Sequence, residues 1–312
     1  MTLQIIDADS PVPPEARGAT VALGNFDGVH LGHAAVVQTA HAARPGAPLG
    51  VVTFEPHPRE FFRPGDPPFR LTLLTEKAAA LEALHVQFLF VQRFDLAFSQ
   101  QPAEHFVNHI LHERIGASHL VCGPDFAFGH RRGGNVPFLA ARAEALGIGL
   151  STAQILSDAE GPVSSTRIRR LLQDGYPERA NALLGRAWTI RAEVAHGDKR
   201  GRTIGFPTAN LPLGQHLEPA RGVYAVTVCL PNGGTRRGVA NIGLRPTVAD
   251  AVESRLEVNI FDFDGDLYGQ EIGVSLHSFI RAEQKFPSFD ALRQQILADA
   301  AEAAKLLGGL GL

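Results

Sequence analysis

Two histidines, His30 and His33, stand three positions apart at the end of a glycine-rich segment that follows an apolar run at 20–23. Glycines permit the tight turn and close backbone approach that a phosphate needs, and a helix starting there adds N–H donors and partial positive charge. Imidazoles in that place can donate hydrogen bonds to charge that develops during phosphoryl-type transfer. We therefore predict a triphosphate site with these histidines as its catalytic residues. The predicted ATP contacts in this segment are Gly24, Asn25, Phe26, Asp27 and Gly28.

The alternative for this segment is a glycine-rich turn with two exposed histidines. Its location decides between the two interpretations. The run at 20–23 is predicted as a buried strand, and residues from about 34 to 43 as the helix that follows it. A turn between a strand and a helix is where phosphate-binding chemistry is found, so the functional interpretation is favoured.

A second phosphate-binding candidate is the segment Ser164-Ser165-Thr166-Arg167-Ile168-Arg169. One of its hydroxyls can cap a helix whose first turn carries arginines, which suits a phosphate group. The predicted ATP contacts here are Ser164, Ser165, Thr166 and Arg169. An ordinary helix cap followed by surface arginines has the same pattern, so this segment alone is a weak signal.

The second half of the chain carries Pro207-Thr208-Ala209-Asn210 directly after a stretch rich in glycine and basic residues. If the chain is extended there, Thr208 and Asn210 project to one side and the alanine between them to the other. Two neutral oxygens on one side form a partial shell for Mg²⁺, which takes water and phosphate oxygens as its other ligands. We predict Thr208 and Asn210 as metal ligands, with Gly201 and Gly205 in a flexible cover over ATP.

Glu257 is a candidate functional carboxylate in the second half of the chain. Period-two alternation buries Leu256 and Val258 and turns Glu257 to the other face of a predicted strand. Glu253 is a nearby competitor, and the alternative for either carboxylate is a surface group paired with Arg255.

Two patterns of elements divide the chain. Up to about residue 174, β-branched runs alternate with helical patterns, which predicts βαβ units and an open parallel sheet with ligands beyond the carboxyl ends of its strands. From about residue 188, strands separated by glycine and proline turns precede one helix at 289–307, which predicts a small antiparallel barrel with a terminal helix. The predicted fold class is α/β followed by β, with domains at 1–184 and 185–312.

Composition predicts an ordinary globular protein and limits its partners. Of 312 residues, 45% are hydrophobic and the formal net charge is −3, which gives no basic field for nucleic acid. No secretory signal is visible, and the most apolar stretch, 88–91, is too short to span a bilayer. Cys122 and Cys229 fit reduced core thiols. We expect a cytoplasmic protein that binds small molecules, with neither nucleic acid nor membrane as a partner.

The segment Gly24–His33 resembles the HxGH nucleotidylyltransferase superfamily, and its Gly-Asn-Phe-Asp-Gly-Val-His form looks like the branch of prokaryotic bifunctional FAD synthetases. Val163–Arg169 is similar to the second signature of that family, and Pro207–Asn210 is similar to the signature of riboflavin kinases. The resemblance covers nearly the whole chain. It implies a catalytic carboxylate nine residues before the Asp of Asp-Leu-Tyr-Gly, and counting back from Asp266 gives Glu257.

The resemblance also implies which residues border the flavin. They lie after a predicted strand at 49–54, after a predicted strand at 119–122, and in an Arg-x-Glu-x-x-Phe segment before the last helix. The implied flavin contacts are His57, Asp125, Phe126, Phe128, Arg281 and Glu283. The alternative for the two phenylalanines is a place in the core, and for the two charged residues a solvated turn.

The activity that the resemblance implies consists of two reactions that use ATP and Mg²⁺. The C-terminal domain would convert riboflavin to FMN, and the N-terminal domain FMN to FAD with release of pyrophosphate. One alternative, an enzyme with a single active module, is disfavoured because the motifs of both halves are intact. Another, a nucleotide-sensing or RNA-binding protein, is disfavoured by the near-neutral charge and by the scarcity of aromatics in exposed-looking patterns, with only three Tyr and one Trp in the chain. Salt-insensitive turnover of riboflavin, with no RNA retained on purification, separates the enzyme from the binding protein.

Overall fold

The computed structural model describes residues 2–196, 206–246 and 252–312, and the chain divides into two compact units. The first contains Met1–Pro67 and Thr72–Ser164, and the second contains Pro68–Leu71 and Ser165–Leu312. The predicted boundary between residues 184 and 185 separates two functional modules rather than these two compact units, and it stays a prediction. Within the described ranges, no helix has both the length and the apolar character needed to cross a membrane.

The first unit is built on a six-stranded sheet in which every strand runs parallel to its neighbours. Its strands are β1 Gln4–Asp7, β2 Thr20–Leu23, β3 Leu49–Glu55, β4 Phe88–Arg93, β5 His119–Cys122 and β6 Gly149–Thr152. Its helices are α1 Leu31–Ala43, α2 Pro58–Phe62, α3 Leu74–Glu82, α4 Leu96–Ser99, α5 Ala103–His105, which continues as a π-helix at Phe106–Ile115, and α6 Val136–Ala145. A separate hairpin joins β7 Ser157–Asp158 to β8 Gly161–Pro162.

The order of strands in this sheet, β1-β4-β3-β2-β5-β6, places a reversal of the winding between β2 and β5. Alternate side chains of the strands pack into two hydrophobic clusters, with Val21 in one and Ala22 in the other. Because both faces are covered, the strands read as unbroken apolar runs. Ligands of open parallel sheets bind at such a reversal, outside the carboxyl ends of the strands. The loops after Leu23 and Cys122 leave the sheet at that place.

The second unit is an antiparallel six-stranded sheet with the order β10-β13-β12-β11-β14-β9. Its strands are β9 Trp188–Glu193, β10 Ala209–Pro212, β11 Gly222–Cys229, β12 Thr235–Pro246, β13 Val252–Ile260 and β14 Glu271–Ala282. Its helices are α7 Ser165–Gln173, α8 Pro177–Leu184 and α9 Phe289–Gly309. The sheet closes on itself where the backbone N–H of Ala195 donates to the carbonyl of Asn210 at 2.8 Å.

Helix α9 packs on the outer face of this barrel. Its hydrophobic residues Ala303 and Leu307 form a cluster with Val223 and Ala225 of β11, and all four are buried. The Oγ of Ser288 accepts the backbone N–H of Ala291 at 3.1 Å and caps the start of the helix, as its sequence pattern predicts. The helix therefore fixes one side of the barrel and leaves the strands beside it accessible.

The predicted fold class, a parallel α/β domain followed by a small barrel with a terminal helix, is confirmed. The elements that the sequence did not reveal have weak patterns. In β1 only Ile6 is buried, and β10 has four residues and ends in proline, so neither strand gives an apolar run. The side-chain pattern of residues 103–115 predicts a helix, and a helix is present there, but most of it is π-helical, which this pattern does not distinguish from an α-helix.

Candidate active sites

The loop from Gly24 to His30 leaves the carboxyl end of β2 in an unusual backbone conformation. Phe26 has φ 51°, Gly28 has φ 86° and Val29 has φ 40°. Glycine adopts positive φ without steric cost, but a phenylalanine and a β-branched valine do not. Each strained residue costs on the order of 1–3 kcal/mol and persists because neighbouring contacts hold it. Strain of this kind is typical of loops whose shape serves a ligand.

Buried hydrogen bonds hold the loop. The carboxylate of Asp27 accepts the backbone N–H of Thr72 at 3.0 Å, and the N–H of Gly28 donates to the Thr72 hydroxyl at 2.9 Å. The hydroxyl of Thr53 donates to the carbonyl of Asn25 at 2.9 Å. Asp27 is only 2% exposed, so the structure gives its carboxylate a bracing role. Asn25 is exposed and remains the more accessible of the predicted ATP contacts.

His30 and His33 form a reciprocal cap at the start of α1. The Nδ1 of His30 accepts the backbone N–H of His33 at 3.2 Å, and the Nδ1 of His33 accepts the backbone N–H of His30 at 3.3 Å. Their rings stack with centroids 3.7 Å apart. Because each Nδ1 is an acceptor, each neutral ring carries its proton on Nε2. The cap therefore fixes both imidazoles in the tautomer that donates from Nε2, which is the form that can stabilise a developing negative charge.

Gly32 allows this packing, as its position between the histidines predicts. A Cβ there would lie 3.0 Å from Cε1 and 3.1 Å from Nδ1 of His30, and 3.3 Å from the carbonyl oxygen of Val163. We expect Gly32→Ala to displace the His30 ring and to lower FMN adenylylation about tenfold, while leaving riboflavin phosphorylation unchanged. Separate rate assays with FMN and with riboflavin check this, and an unchanged adenylylation rate would contradict it.

The loop after β5 carries three predicted flavin contacts with different exposures. Asp125 is exposed, Phe126 is partly buried, and Phe128 is 7% exposed and belongs to the core. The two phenylalanine rings stack with centroids 5.3 Å apart. Phe126 is therefore the one whose ring is accessible to a ligand, and Phe128 supports it. Burial, with the charge of Asp125, raises the pKa of the Cys122 thiol to about 11, so this cysteine stays protonated and unreactive.

His57 lies at the carboxyl end of β3, where the resemblance places it, but its ring caps helix α2. The Nδ1 of His57 accepts the backbone N–H of Arg59 at 3.1 Å, and the backbone N–H of His57 donates to the carboxylate of Glu60 at 3.2 Å. The residue is 9% exposed. As in the histidine pair, the acceptor role of Nδ1 puts the proton on Nε2.

An aromatic surface that the sequence did not reveal extends from α2. Phe61, Phe62 and Phe94 contact one another edge-to-face, with centroid distances of 5.2 to 5.6 Å. Phe62 is 64% exposed, and together with its two neighbours it forms an aromatic patch rather than a single exposed ring. The adjacent aromatics Phe61 and Phe62 in the sequence were the available signal.

The second phosphate-binding candidate begins a helix, as predicted. Helix α7 starts at Ser165, which places Ser164 just before its first turn. The Nε of Arg169 donates to the carbonyl of Phe69 at 2.9 Å, and its guanidinium lies 5.1 Å from the Phe69 ring centroid. Arg169 therefore also anchors the short segment Pro68–Leu71 within the second unit.

In the barrel, Glu257 stands between two asparagines. It pairs with Asn210 of β10 on one side and with Asn241 of β12 on the other. Directly paired residues of antiparallel strands project to the same face, so the three polar side chains form a row on the outer face. Leu256 and Val258 have no exposed surface and point into the barrel, which confirms the predicted facing.

The donor set at Thr208 and Asn210 fits a hard cation. The Nδ2 of Asn210 donates to the backbone carbonyl of Thr208 at 3.3 Å, which turns the amide oxygen the other way. An amide oxygen and a hydroxyl next to a carboxylate match the oxygen preference of Mg²⁺. Gly201 and Gly205, the predicted cover over ATP, lie outside the described residues.

A cavity of about 390 Å³ lies beside Thr208, on the face of β13 that carries Val258 and Ile260. Thr208 lines it together with Pro207, Val258 and the loop 263–268, which includes Phe263 and Tyr268. Its walls combine apolar and aromatic side chains with the carboxylates of that loop, and this mixture suits a nucleoside. Thr208 thus belongs both to the cavity and to the predicted metal ligands.

Arg281 is engaged by the terminal helix. Its Nε and Nη2 donate to the carboxylate of Asp299 at 2.9 and 2.6 Å, and Gln295 donates to the same carboxylate at 2.9 Å. Glu283 is exposed, and its Oε1 lies 2.2 Å from the place that a Cβ on Gly243 would take. In this structure Arg281 ties α9 to β14, whereas Glu283 lies over β12 beside the outer-face row.

The Arg281–Asp299 pair predicts a stability effect. Asp299→Asn should lower the free energy of unfolding of the barrel by about 2–3 kcal/mol, because Asp299 is 5% and Arg281 20% exposed. Urea unfolding followed through Trp188, the one tryptophan of the chain and a buried residue of this unit, measures it. Glu302→Gln, which breaks the exposed pair with Lys305 on the same helix, should cost less than about 0.5 kcal/mol. Equal effects of the two variants would contradict the buried ion pair.

Comparison with known proteins gives the same division into two functions. The family model "FAD synthetase" matches residues 12–167, and the family model "Riboflavin kinase" matches residues 184–307. The bifunctional riboflavin kinase/FMN adenylyltransferase of Escherichia coli K12 is 40% identical over 301 residues, covering 96% of this chain and 95% of that protein. The Bacillus subtilis protein of the same name is 36% identical over 315 residues, covering 99% of both.

A solved structure agrees over the same length. The crystal structure described as a macrolide-efflux protein from Streptococcus pneumoniae has a TM-score of 0.84 and 33% identity, and it covers 95% of this chain and 97% of its own. Both the sheet and the barrel therefore have a counterpart in one known chain.

Proposed function

This chain belongs to the family of bifunctional riboflavin kinase/FMN adenylyltransferases, and we infer from this that it makes FAD from riboflavin in two ATP-dependent reactions. In the first, the ribityl hydroxyl attacks the γ-phosphorus of ATP, and the bond to ADP breaks. In the second, the phosphate of FMN attacks the α-phosphorus of a second ATP, and pyrophosphate leaves. The observation that carries the inference is the tandem match of both families to one chain, each over the unit that holds its motif.

The adenylyl transfer is assigned to the Gly24–His33 loop. His30 and His33, with Nδ1 occupied by backbone N–H groups, direct Nε2–H donors toward the negative charge that develops on the oxygens of the transferred phosphoryl group and of the departing pyrophosphate. Gly24, Asn25 and Gly28 bring the backbone close to the phosphates, and Phe26 and Asp27 hold the loop from behind. Positioning and electrostatics carry this reaction, so it needs no covalent intermediate.

The second phosphate-binding element of the adenylyl transfer is the start of α7. Ser164, Ser165 and Thr166 offer hydroxyls at the helix N-terminus, where backbone N–H groups and the helix dipole favour an anion. Arg169 contributes through its anchoring of Pro68–Leu71 and through its charge.

Riboflavin phosphorylation is assigned to the outer-face row of the barrel. Glu257 accepts the proton of the attacking hydroxyl. The pairing of β13 with β10 and β12 places its side chain on the outer face between Asn210 and Asn241. Thr208 and Asn210 would hold Mg²⁺, which when bound neutralises charge on the phosphate oxygens. The cavity lined by Thr208 and Val258 receives the nucleoside of ATP, with Gly201 and Gly205 in the segment that covers its phosphates.

The flavin contacts are proposed in both units. In the first unit the proposed flavin contacts are Phe126, Phe128, His57 and Asp125, and the exposed Phe62 offers a further aromatic surface. In the second unit Glu283 and Arg281 border the flavin beside Glu257. We also propose functional modules at 1–184 and 185–312.

The proposed partners are small molecules. Riboflavin, FMN, FAD and ATP account for every motif, and neither nucleic acid nor membrane is needed as a partner. We place the enzyme in the cytoplasm, where ATP is abundant and thiols such as Cys122 and Cys229, both free, stay reduced.

A time course tests the proposal. Purified protein is incubated with riboflavin, ATP and Mg²⁺, and riboflavin, FMN and FAD are separated while ADP and pyrophosphate are measured. FMN with ADP should appear first, and FAD with pyrophosphate afterwards. FMN that accumulates without FAD, even when FMN is supplied, would reduce the chain to a kinase alone.

A further inference from the structure

A lysine is completely buried behind the nucleotide loop of the first unit. Lys77 of α3 has no exposed surface, which is rare for a side chain that carries a full charge. Its Nζ donates to the carboxylate of Glu55 at 2.9 Å and to the hydroxyl of Thr53 at 3.0 Å. A charge buried in this way requires such partners, and both of them come from the end of β3, the strand next to β2.

The hydroxyl of Thr53 connects Lys77 to the loop. It accepts from Lys77 and donates to the carbonyl of Asn25 at 2.9 Å. A hydroxyl has one hydrogen, so a donor that occupies its lone pair turns that hydrogen toward the remaining acceptor. Bonds to a charged group are the stronger kind, and the ammonium therefore fixes which way the hydroxyl points. Thr53 has no exposed surface, so water does not compete for it.

The loop needs such support because its shape is not one that the chain adopts alone. Phe26 and Val29 both have positive φ, and Asn25 comes directly before them. We propose that Lys77 and Thr53 are positioning residues for adenylyl transfer: they hold the Asn25 carbonyl and so keep the strained Gly24–His30 loop in the shape that aims His30. The proposal rests on the assignment of adenylyl transfer to this loop.

Thr53→Val tests the proposal best, since it keeps the volume and removes only the hydroxyl. Lys77→Met would also deprive the carboxylate of Glu55 of its ammonium and destabilise the whole unit. Thr53→Ser restores the hydroxyl. Thr20→Val is the matched control, because Thr20 lies on β2, is 1% exposed, and its Oγ1 has no hydrogen-bond partner among the described residues.

With FMN as substrate, we expect Thr53→Val to lower the kcat of FAD formation about tenfold and to leave the KM for FMN within about twofold. Thr53→Ser and Thr20→Val should keep wild-type kcat. Riboflavin phosphorylation by the same four proteins should be equal, which controls for enzyme concentration and for folding of the second unit. If the wild-type protein does not form FAD from FMN, the proposed function is wrong. If it does and Thr53→Val is unaffected, only the positioning role of Lys77 and Thr53 is wrong.

Three results would overturn the proposal. Thr53→Val with wild-type kcat would show that the loop keeps its shape without the hydroxyl. A loss of the same size in Thr53→Ser, or in Thr20→Val, would assign the effect to packing. A rise in KM with unchanged kcat would mean that the contact of Thr53 with Asn25 serves substrate binding and not the positioning of His30.

Discussion

Glu257→Gln should abolish riboflavin phosphorylation and leave the conversion of FMN to FAD intact. The amide has nearly the same shape as the carboxylate but cannot accept the proton of the attacking hydroxyl, so we expect a fall in rate of about 10²–10⁴. Substitution at this position leaves the core unchanged, because Leu256 and Val258 point to the other side of the strand. The measurement is FMN formation from riboflavin, with FAD formation from supplied FMN measured on the same sample.

Glu271→Gln is the matched control for that variant. Glu271 is an exposed strand carboxylate of the same barrel, on β14, and it lies away from the row of Asn210 and Asn241. Both activities should be normal in it. Loss of both activities in a folded Glu257→Gln protein would contradict the assignment of each reaction to its own site.

His30→Ala should have the opposite effect. Removing a preorganised hydrogen-bond donor lowers the rate of adenylyl transfer by about 10²–10³, and the kinase reaction in the barrel should not change. Since the His30 ring also caps α1, the alanine variant loses about 1 kcal/mol of helix stability as well. The measurement is FAD formation from FMN under saturating ATP.

Two further variants separate catalysis from capping. His30→Asn keeps a side-chain oxygen that can accept the N–H of His33, so it should restore stability to thermal unfolding without restoring adenylylation. His41→Ala, an exposed histidine in the last turn of the same helix, should retain full activity. Recovery of adenylylation in His30→Asn would mean that His30 acts as a cap and not as a donor.

Strong local patterns made much of both sites predictable. The strand–glycine–helix order around Leu23 and His30 located the first site, and it placed the loop at the reversal of the strand order that the structure contains. Period-two alternation around Glu257 gave its facing correctly. In both places one short segment supplies the chemistry and also the element that presents it, so the spacing in the sequence carries the geometry.

Features that depend on distant partners were not predictable. The bracing contact of Asp27 with Thr72, the buried Lys77, and the pairing of Arg281 with Asp299 join residues that are far apart in the sequence or on different elements. In the sequence, the charge of such a residue makes it a candidate for binding a ligand. Its burial in the structure shows instead that it supports the elements around the binding site. Phe62 is the reverse case, an apolar residue whose exposure only the structure reveals.

Mixing the two inactive variants tests most directly the claim that one chain carries two separate sites. Supplied with riboflavin, ATP and Mg²⁺, Glu257→Gln alone should form neither FMN nor FAD, and His30→Ala alone should stop at FMN. A mixture of the two should form FAD, because FMN released by one variant is the substrate of the other. FAD from either variant alone, or none from the mixture although each folds and keeps its remaining activity, would contradict the account.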